Sequence, residues 1–233
     1  MSTPVRVESG AALTTLTLDD GKVNALSCAM FDALGAALDQ AQAAGTVVLL
    51  QGRPGVFSAG FDLATLRAGG AAAGRMLEAG ARLTERLLSF PAPLIAVVTG
   101  PAIAMGAFIV QGCDLRLAVD DPRFRIAANE VAIGLTLPRF ALAVLRHRLT
   151  PAHLDLAAVT GRPYDLPGAL AAGWLDAAAD AARLPALVDD AVRALSSIDR
   201  AAHVATKLRV RADTLDRLRA AVDADVDDWR RRL

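Results

Sequence analysis

Apolar and polar positions alternate in two different ways along the first half of the chain. Leu13 to Leu18 shows the two-residue alternation of a half-buried strand, and Arg6 to Glu8 is predicted to pair with it. Thr46 to Leu50 and Leu94 to Thr99 are continuous apolar runs, which are typical of strands buried on both faces. Leu26 to Ala44 repeats apolar residues at helical spacing. Strands that alternate with helices in this order predict a parallel sheet with right-handed crossovers.

Helical spacing dominates the rest of the sequence. It predicts a helix over Met76 to Ser89 and, beyond about Phe140, an almost wholly helical region that ends in one long helix from Ala202 to Trp229. The small residues from Ala68 to Gly74 predict a flexible loop. We therefore divide the chain into an α/β core, residues 1–139, and a C-terminal helical region, residues 140–233.

Composition narrows the function classes. The 233 residues carry 25 basic and 25 acidic side chains, and 54% of the residues are hydrophobic, enough for a sizeable core. The lack of a basic excess argues against a nucleic-acid partner, and no apolar run reaches the roughly 18 residues of a membrane span. The N-terminus lacks an apolar signal core, and two cysteines are too few for a disulfide framework. These features predict a cytoplasmic protein that binds neither nucleic acid nor membrane.

Two of the predicted strands end in turns of small residues that lead into helices. The first turn is Phe57–Leu63 and the second is Gly100–Ala107. A strand that delivers such a turn to a helix leaves backbone N–H groups unpaired. Side by side, the two turns would direct two N–H donors at one developing oxyanion. Either turn alone is better interpreted as a tight strand–helix connection.

With further motifs, these turns resemble the enoyl-CoA hydratase/isomerase (crotonase) superfamily. The chain carries the patterns F-x-A-G-x-D-L and P-x-I-A-x-V-x-G, and the similarity runs roughly from Val5 to Asp176. It continues through Cys113–Ala118, Phe124, Asn129–Gly134 and Thr160–Arg162. The resemblance implies an α/β fold of the ClpP/crotonase type, a spiral of ββα units with a C-terminal helical trimerisation layer. The expected assembly is a homotrimer, or a hexamer built as a dimer of trimers.

The resemblance also implies catalytic groups. The backbone N–H groups of Phe61 and Met105 would form an oxyanion hole for the enolate of an acyl-CoA thioester. The family usually has glycine where Met105 stands, so the methionine is expected to narrow the acyl pocket. Glu130 matches the family's catalytic glutamate, and its apolar neighbours would raise its pKa. Without the resemblance, an exposed loop glutamate is the slightly favoured interpretation.

Phe108 separates two candidate reactions. Hydratases of this family have a second glutamate at this position, and no acid stands nearby in Ile109 to Gln111. One carboxylate can still carry a proton between two carbons, so we favour β,γ-to-α,β enoyl-CoA isomerisation with Glu130 as the single acid/base. This pattern is closest to the single-glutamate isomerase-like branch. The open alternatives are an enoyl-CoA hydratase of fatty-acid β-oxidation, another thioester reaction such as hydrolysis or decarboxylation, and an acyl-CoA-binding protein without turnover.

Two segments are expected to hold the coenzyme A part of the substrate. By resemblance, the binding residues are Lys22, Val23, Ala25, Ser58, Ala59, Gly60, Asp62 and Leu63. No cofactor is expected to stay bound permanently, and no histidine spacing indicates a metal site. Lys22, Arg53 and Arg67 are candidates for the CoA phosphates, although solvated surface charge explains them equally well. A Rossmann-type nucleotide binder is disfavoured because neither G-x-G-x-x-G nor a P-loop follows any strand.

Overall fold

A mixed α/β architecture is seen in the computed structural model, which describes residues 3–232. The strands in this range are β1 (Val5–Ser9), β2 (Leu13–Leu18), β3 (Val47–Gly52), β4 (Leu94–Val98), β5 (Ala102–Ile103), β6 (Leu115–Val119), β7 (Ile126–Ala127) and β8 (Ala177–Ala179). Six of them form the main sheet in the order β1-β2-β3-β4-β6-β8, and β5 pairs with β7. Apart from the antiparallel pair β1–β2, every pair is parallel, as the alternation of strands and helices predicted.

Helices cover both faces of the main sheet. They are α1 (Cys28–Ala44), α2 (Leu63–Ala68), α3 (Gly70–Leu88), α4 (Met105–Gly112), α5 (Arg139–Arg148), α6 (Pro151–Thr160), α7 (Leu166–Ala172), α8 (Leu184–Ser196), α9 (Arg200–Val210) and α10 (Ala212–Arg232). A single 3₁₀ turn occupies Val131–Ile133. Within the described residues 3–232, no helix is both long enough and apolar enough to cross a bilayer.

The continuous apolar strands are explained by burial on two sides. Leu16, Leu50 and Ala96 lie opposite one another on β2, β3 and β4 and belong to the main core. On the reverse face, the neighbouring pair Leu49 and Ile95 belongs to a second cluster that α8 covers. Each strand therefore buries successive side chains in different clusters, and no polar face is needed.

The segment from Ala68 to Gly74 is not the flexible loop that its composition predicted. Ala68 ends α2, and α3 already begins at Gly70, so the two helices follow each other across Gly69. Gly69 and Gly70 both have φ of +67°, which reverses the chain in a conformation that side chains disfavour. The alanines that follow have the highest helix propensity and continue as α3.

The C-terminal region also differs from the sequence prediction at one point. The single helix predicted from Ala202 to Trp229 is interrupted at Arg211, which separates α9 from α10. Arg211 donates from Nη1 to Leu88 O at 2.8 Å, and its Nη2 lies 2.8 Å from Asp114 Oδ1. These contacts fix the interruption against the end of α3 and the start of β6. The main hydrophobic cluster includes Phe140 and Leu218, and the division at residues 139/140 stays a prediction.

Candidate active site

The first turn leaves one backbone donor facing away from its neighbours. Leu26 N–H donates to Gly60 O at 2.8 Å, and Asp62 N–H donates to Leu26 O at 3.2 Å. Because both residues that flank Phe61 face Leu26, the N–H of Phe61 is directed to the opposite side. Among the described residues, no protein acceptor pairs with this N–H.

The second turn presents a donor at a helix start. Met105 is the first residue of α4, where backbone N–H groups have no partner inside the helix. Ala104, just before it, has φ of +51° and ψ of −122°, a conformation that glycine normally adopts. Ala104 N–H donates to Ala127 O at 2.8 Å, which ties the strained residue to β7.

Gly60 brings the two donors into one space. Its φ is +89°, and a side-chain carbon added there would lie 2.8 Å from Ile103 O and 3.5 Å from Met105 N. The turn can approach this closely only because Gly60 has no side chain. The structure therefore brings the predicted donors of Phe61 and Met105 to adjacent positions.

A buried hydrogen-bond network holds the first turn. Asn24, with φ of +52°, donates from Nδ2 to Leu18 O at 2.9 Å and to Phe57 O at 3.0 Å. Ser58 Oγ donates to Asn24 O at 2.7 Å and accepts from Gly60 N–H at 3.1 Å. Sequence reasoning did not assign Asn24 this role. Its buried side chain and left-handed backbone make it a support for the turn.

Glu130 lies between β7 and the 3₁₀ turn and is 7% exposed. Its Oε2 is buried and has no hydrogen-bond partner among the described residues, and the same holds for Asn129 Oδ1. Burial raises the pKa of Glu130 to about 7, from an ordinary value of 4.5. A carboxyl group with this pKa both gives and takes protons near neutral pH.

Glu130 and the two turns share a cavity of about 470 Å³, here called the catalytic cavity. Ala59, Phe61 and Ala104 line it beside the turns. The rest of the lining is mainly apolar, contributed by Leu63, Leu66, Leu77, Ile133, Gly134, Leu135, Pro138 and Trp229, with Asn129 and Thr136 as polar members. Glu130 is the one carboxylate among these lining residues, so the cavity combines a single acid/base with an apolar enclosure.

Phe108 lies outside the catalytic cavity. Its side chain is fully buried, and its ring meets Phe140 edge-on with centroids 5.8 Å apart. The Met105 side chain is also fully buried and does not line the cavity. The expectation that Met105 narrows the acyl pocket is therefore wrong, because its side chain turns into the core while its N–H remains at the turn.

The two segments predicted for coenzyme A run side by side. Ala59 N–H donates to Val23 O at 3.0 Å, and Lys22, Val23, Ala59 and Leu63 are exposed while Ala25 is half-buried. Arg53 donates to Lys22 O, which keeps these two candidate cations together. The structure thus forms one exposed surface from both segments; its role as the coenzyme A site stays a prediction.

Some predicted binding residues already have structural partners. Ser58 is fully buried, and its hydroxyl is engaged in the network with Asn24. The Asp62 carboxylate caps α2 by accepting from Ala64 N–H, Thr65 N–H and the Thr65 hydroxyl. The hydroxyl of Thr65 is the main cause that lowers the pKa of Asp62. These two side chains shape the turn, and their backbone groups remain the candidates for ligand contact.

The residues that sequence reasoning missed are in the apolar wall. Leu66, Leu77 and Trp229 come from three separate helices, Pro138 precedes a fourth, and these residues carry no local signal of a shared cavity. Within residues 3–232, no group of three His, Cys, Asp or Glu side chains could hold a metal ion.

Comparisons with known proteins agree with the motifs. A family model described as enoyl-CoA hydratase/isomerase matches residues 8–230. A probable enoyl-CoA hydratase, EchA3 of Mycobacterium tuberculosis, has a crystal structure that aligns with TM-score 0.93 at 39% identity, covering 97% of this chain and 96% of that one. A second structure of the same Mycobacterium tuberculosis protein, described as an apo enoyl-CoA isomerase, aligns with TM-score 0.92 at 40% identity, covering 97% and 99%.

A human relative extends the comparison to a mitochondrial protein. Enoyl-CoA delta isomerase 1, mitochondrial, of Homo sapiens is 27% identical over 230 residues, which cover 97% of this chain and 76% of that protein. The similar proteins therefore include both hydratases and isomerases by description. The expected α/β fold is confirmed by the structural alignments.

Proposed function

Because this chain belongs to the enoyl-CoA hydratase/isomerase family, we propose that it moves the double bond of an enoyl-CoA thioester from the β,γ to the α,β position. One observation carries the proposal: Glu130, the one carboxylate that lines the catalytic cavity, is buried with its Oε2 unpartnered among the described residues, beside two unpaired N–H donors. This arrangement suits a proton shuttle between two carbons of one substrate.

The proposed reaction has two proton transfers. Glu130 removes a proton from the α carbon, and the electron pair of that C–H bond spreads into a dienolate whose negative charge lies on the thioester oxygen. The N–H groups of Phe61 and Met105 stabilise that oxygen; the loss of one such donor typically costs about 2.7–4 kcal/mol. Glu130 then returns the proton to the γ carbon, the carbonyl re-forms, and the double bond ends in conjugation with it.

The pKa of Glu130 fits both transfers. At a pKa of about 7, the carboxylate form is available as the base and the acid form is strong enough to reprotonate the dienolate. Oε2 has no hydrogen-bond partner in the described structure, and the backbone N–H of Glu130 only partly offsets the rise in pKa that burial causes.

Hydration of a conjugated enoyl-CoA is the second candidate. Relatives described as hydratases support it, among them a putative enoyl-CoA hydratase of Thermus thermophilus that is 35% identical over 185 residues. The buried position of Phe108 argues against it, since a second carboxylate would be needed there to hold and activate water. The third candidate is a non-enzymatic protein that binds acyl-CoA without turnover.

We propose that the surface formed by Lys22, Val23, Ala59 and Leu63 holds the coenzyme A moiety, which arrives with the substrate and is not a resident cofactor. The exposure of these residues and the hydrogen bond from Ala59 N–H to Val23 O, which holds the two segments side by side, support this assignment. We also propose a homotrimer or a dimer of trimers. Exposed apolar side chains near Glu130, such as Val131, Ile133 and Val159, support a self-association surface there. Light scattering in solution measures the mass that decides it.

The experiment that tests the reaction uses two CoA thioesters of equal chain length. One is β,γ-unsaturated and the other is α,β-unsaturated. We expect the first to gain the absorbance of a conjugated thioester and the second to resist hydration. Rapid hydration of the second substrate would contradict the isomerase assignment and support the hydratase assignment. Tight binding of both without any turnover would favour the non-enzymatic binder.

A further inference from the structure

Two cavities of similar size meet at one side chain. Trp229 lines the catalytic cavity of about 470 Å³ and also a second cavity of about 470 Å³, here called the rear cavity. The rear cavity lies between the start of α3 and the end of α10, with Gly70, Ala71, Gly74 and Val226 among its lining residues. Among the described residues, Trp229 is the one that lines both cavities.

The position of this indole is fixed by packing on α5. The rings of Trp229 and Phe140 meet edge-on with centroids 6.3 Å apart. One turn earlier on α10, Asp225 is buried and accepts from Phe140 N–H at 2.9 Å. Arg139 adds ion pairs to Asp225 at 3.1 Å and to Asp228 at 2.5 Å. The end of α10 is therefore held against the start of α5, and the wall that it forms is a defined surface.

The start of α3 contributes three small residues to the rear cavity, followed by the charged residues Arg75 and Glu78. Gly70, Ala71 and Gly74 come from the first turns of α3 and offer at most a methyl group each. Arg75, Glu78 and Arg230 stand among the other lining residues, and Arg230 lies 3.8 Å from Glu78. Behind Trp229 there is thus room for an extended apolar chain, with charged side chains around it.

We propose that Trp229 determines acyl-chain length by closing the catalytic cavity toward the rear cavity. The catalytic cavity presents Leu63, Leu66 and Leu77 to an acyl tail, and Trp229 ends that apolar path. Chains that fit in front of the indole are bound along their full length, and further methylenes find no apolar surface. That the ligand is an acyl chain rests on the proposed function, whereas the position of Trp229 at both cavities is independent of it.

The test measures binding of saturated straight-chain acyl-CoA thioesters of increasing length, which requires no turnover. For the natural protein, affinity should rise roughly fourfold per methylene up to a break length and then level off. Trp229→Ala should move the break to longer chains, so that chains two methylenes past it bind roughly fifteenfold tighter than they bind the natural protein. Trp229→Phe, which keeps a ring against Phe140, should retain the break length.

Two further variants control for indirect effects. Asp227→Ala changes an exposed residue on the same helix and should leave the break unchanged. Ala71→Leu combined with Trp229→Ala refills the rear cavity and should bring the break back toward shorter chains. If Trp229→Ala fails to fold, Trp229→Leu is measured in its place, because leucine keeps an apolar contact with Phe140.

The outcomes separate this inference from the proposed reaction. An unchanged break in the folded Trp229 variants overturns the inference, whether or not the protein isomerises enoyl-CoA. A shifted break in a protein without turnover upholds the inference and overturns the isomerase. Absence of acyl-CoA binding at every length overturns both.

Discussion

Two buried carboxylates in this molecule have opposite surroundings. Glu130 has no partner for Oε2 in the described structure, and it faces a cavity. Asp114 is also largely buried, but Lys207 lies 2.7 Å from Oδ2, Arg211 lies 2.8 Å from Oδ1, and Leu94 N–H donates to Oδ2. The first carboxylate is the one proposed to exchange protons, whereas the second joins β4 and β6 to the C-terminal helices. Their charged partners, more than their depth of burial, distinguish the two carboxylates.

Removal of the carboxylate proposed as the acid/base should have the greatest consequence. Glu130→Gln should lower turnover of a β,γ-enoyl-CoA by about 10²- to 10⁴-fold, the usual contribution of a general acid/base, and leave acyl-CoA affinity nearly unchanged. Steady-state rates and calorimetric binding measure the two quantities. Glu8→Gln, at an exposed position on β1, is the matched control. Retained turnover, or a large loss of affinity, would contradict the role of Glu130.

The structural carboxylate should behave in the opposite way. Asp114→Asn leaves Lys207 and Arg211 buried without their counter-charge, and it should lower the free energy of unfolding by about 3–5 kcal/mol. Urea denaturation measures this loss. Asp227→Asn, exposed on α10, should cost almost nothing. If Asp114→Asn were as stable as the control, the ion-pair cluster would not be what holds α9 and α10 to the sheet.

The burial of Glu130 also predicts how stability depends on pH. The folded state raises the pKa of Glu130 to about 7, so this group favours folding most below its ordinary value of 4.5 and loses that contribution as pH rises through 7. The loss corresponds to about 3 kcal/mol. Glu130→Gln does not titrate, so it should gain stability relative to the natural protein between about pH 4.5 and about pH 8. If the free energy of unfolding changed equally with pH in both proteins across this range, burial would not be raising the pKa of Glu130.

The smallest effect is expected at a buried polar group whose partners are neutral. Ser58→Ala removes the hydroxyl that joins Asn24 O to Gly60 N–H and should cost about 1–2 kcal/mol of stability. Because the turn also carries the Phe61 donor, kcat should fall more than KM rises. Ser89→Ala removes a hydroxyl bonded to Glu85 O, away from the cavity, and serves as the control. If Ser58→Ala and Ser89→Ala had the same kcat and KM, the Ser58 hydroxyl would not be needed to position the turn that carries the Phe61 donor.

Strong local patterns predicted much of the fold. Helix α1 spans Cys28–Ala44, within the segment where helical spacing predicted it, and the buried strands β3 and β4 lie where continuous apolar runs predicted them. By contrast, β8 consists of three alanines, which have little strand propensity. It becomes a strand because Ala177 and its neighbours pair with Leu117 to Val119 on β6. No pattern within the segment records that tertiary pairing.

The candidate site likewise combines residues that local motifs predict with residues that only tertiary packing brings in. The turns of Phe61 and Met105 and the position of Glu130 follow from short motifs, and the structure brings them together. Trp229 joins the same cavity from α10, a hundred residues away in sequence, and the break at Arg211 helps to set where α10 runs. The sequence also did not show that the Met105 side chain is buried in the core while its backbone N–H stays unpaired at the start of α4.

The two unpaired N–H donors have a consequence for how this protein tolerates mutation. Of the three groups proposed to touch the reacting atoms, two belong to the main chain and are present whatever side chain stands at positions 61 and 105. A random substitution at either position deletes its donor only if it introduces proline. The proposed chemistry therefore depends directly on few side chains, chiefly that of Glu130. Most other inactivating substitutions would act by shifting a turn, as a side chain at Gly60 would, so they would usually lower stability together with activity.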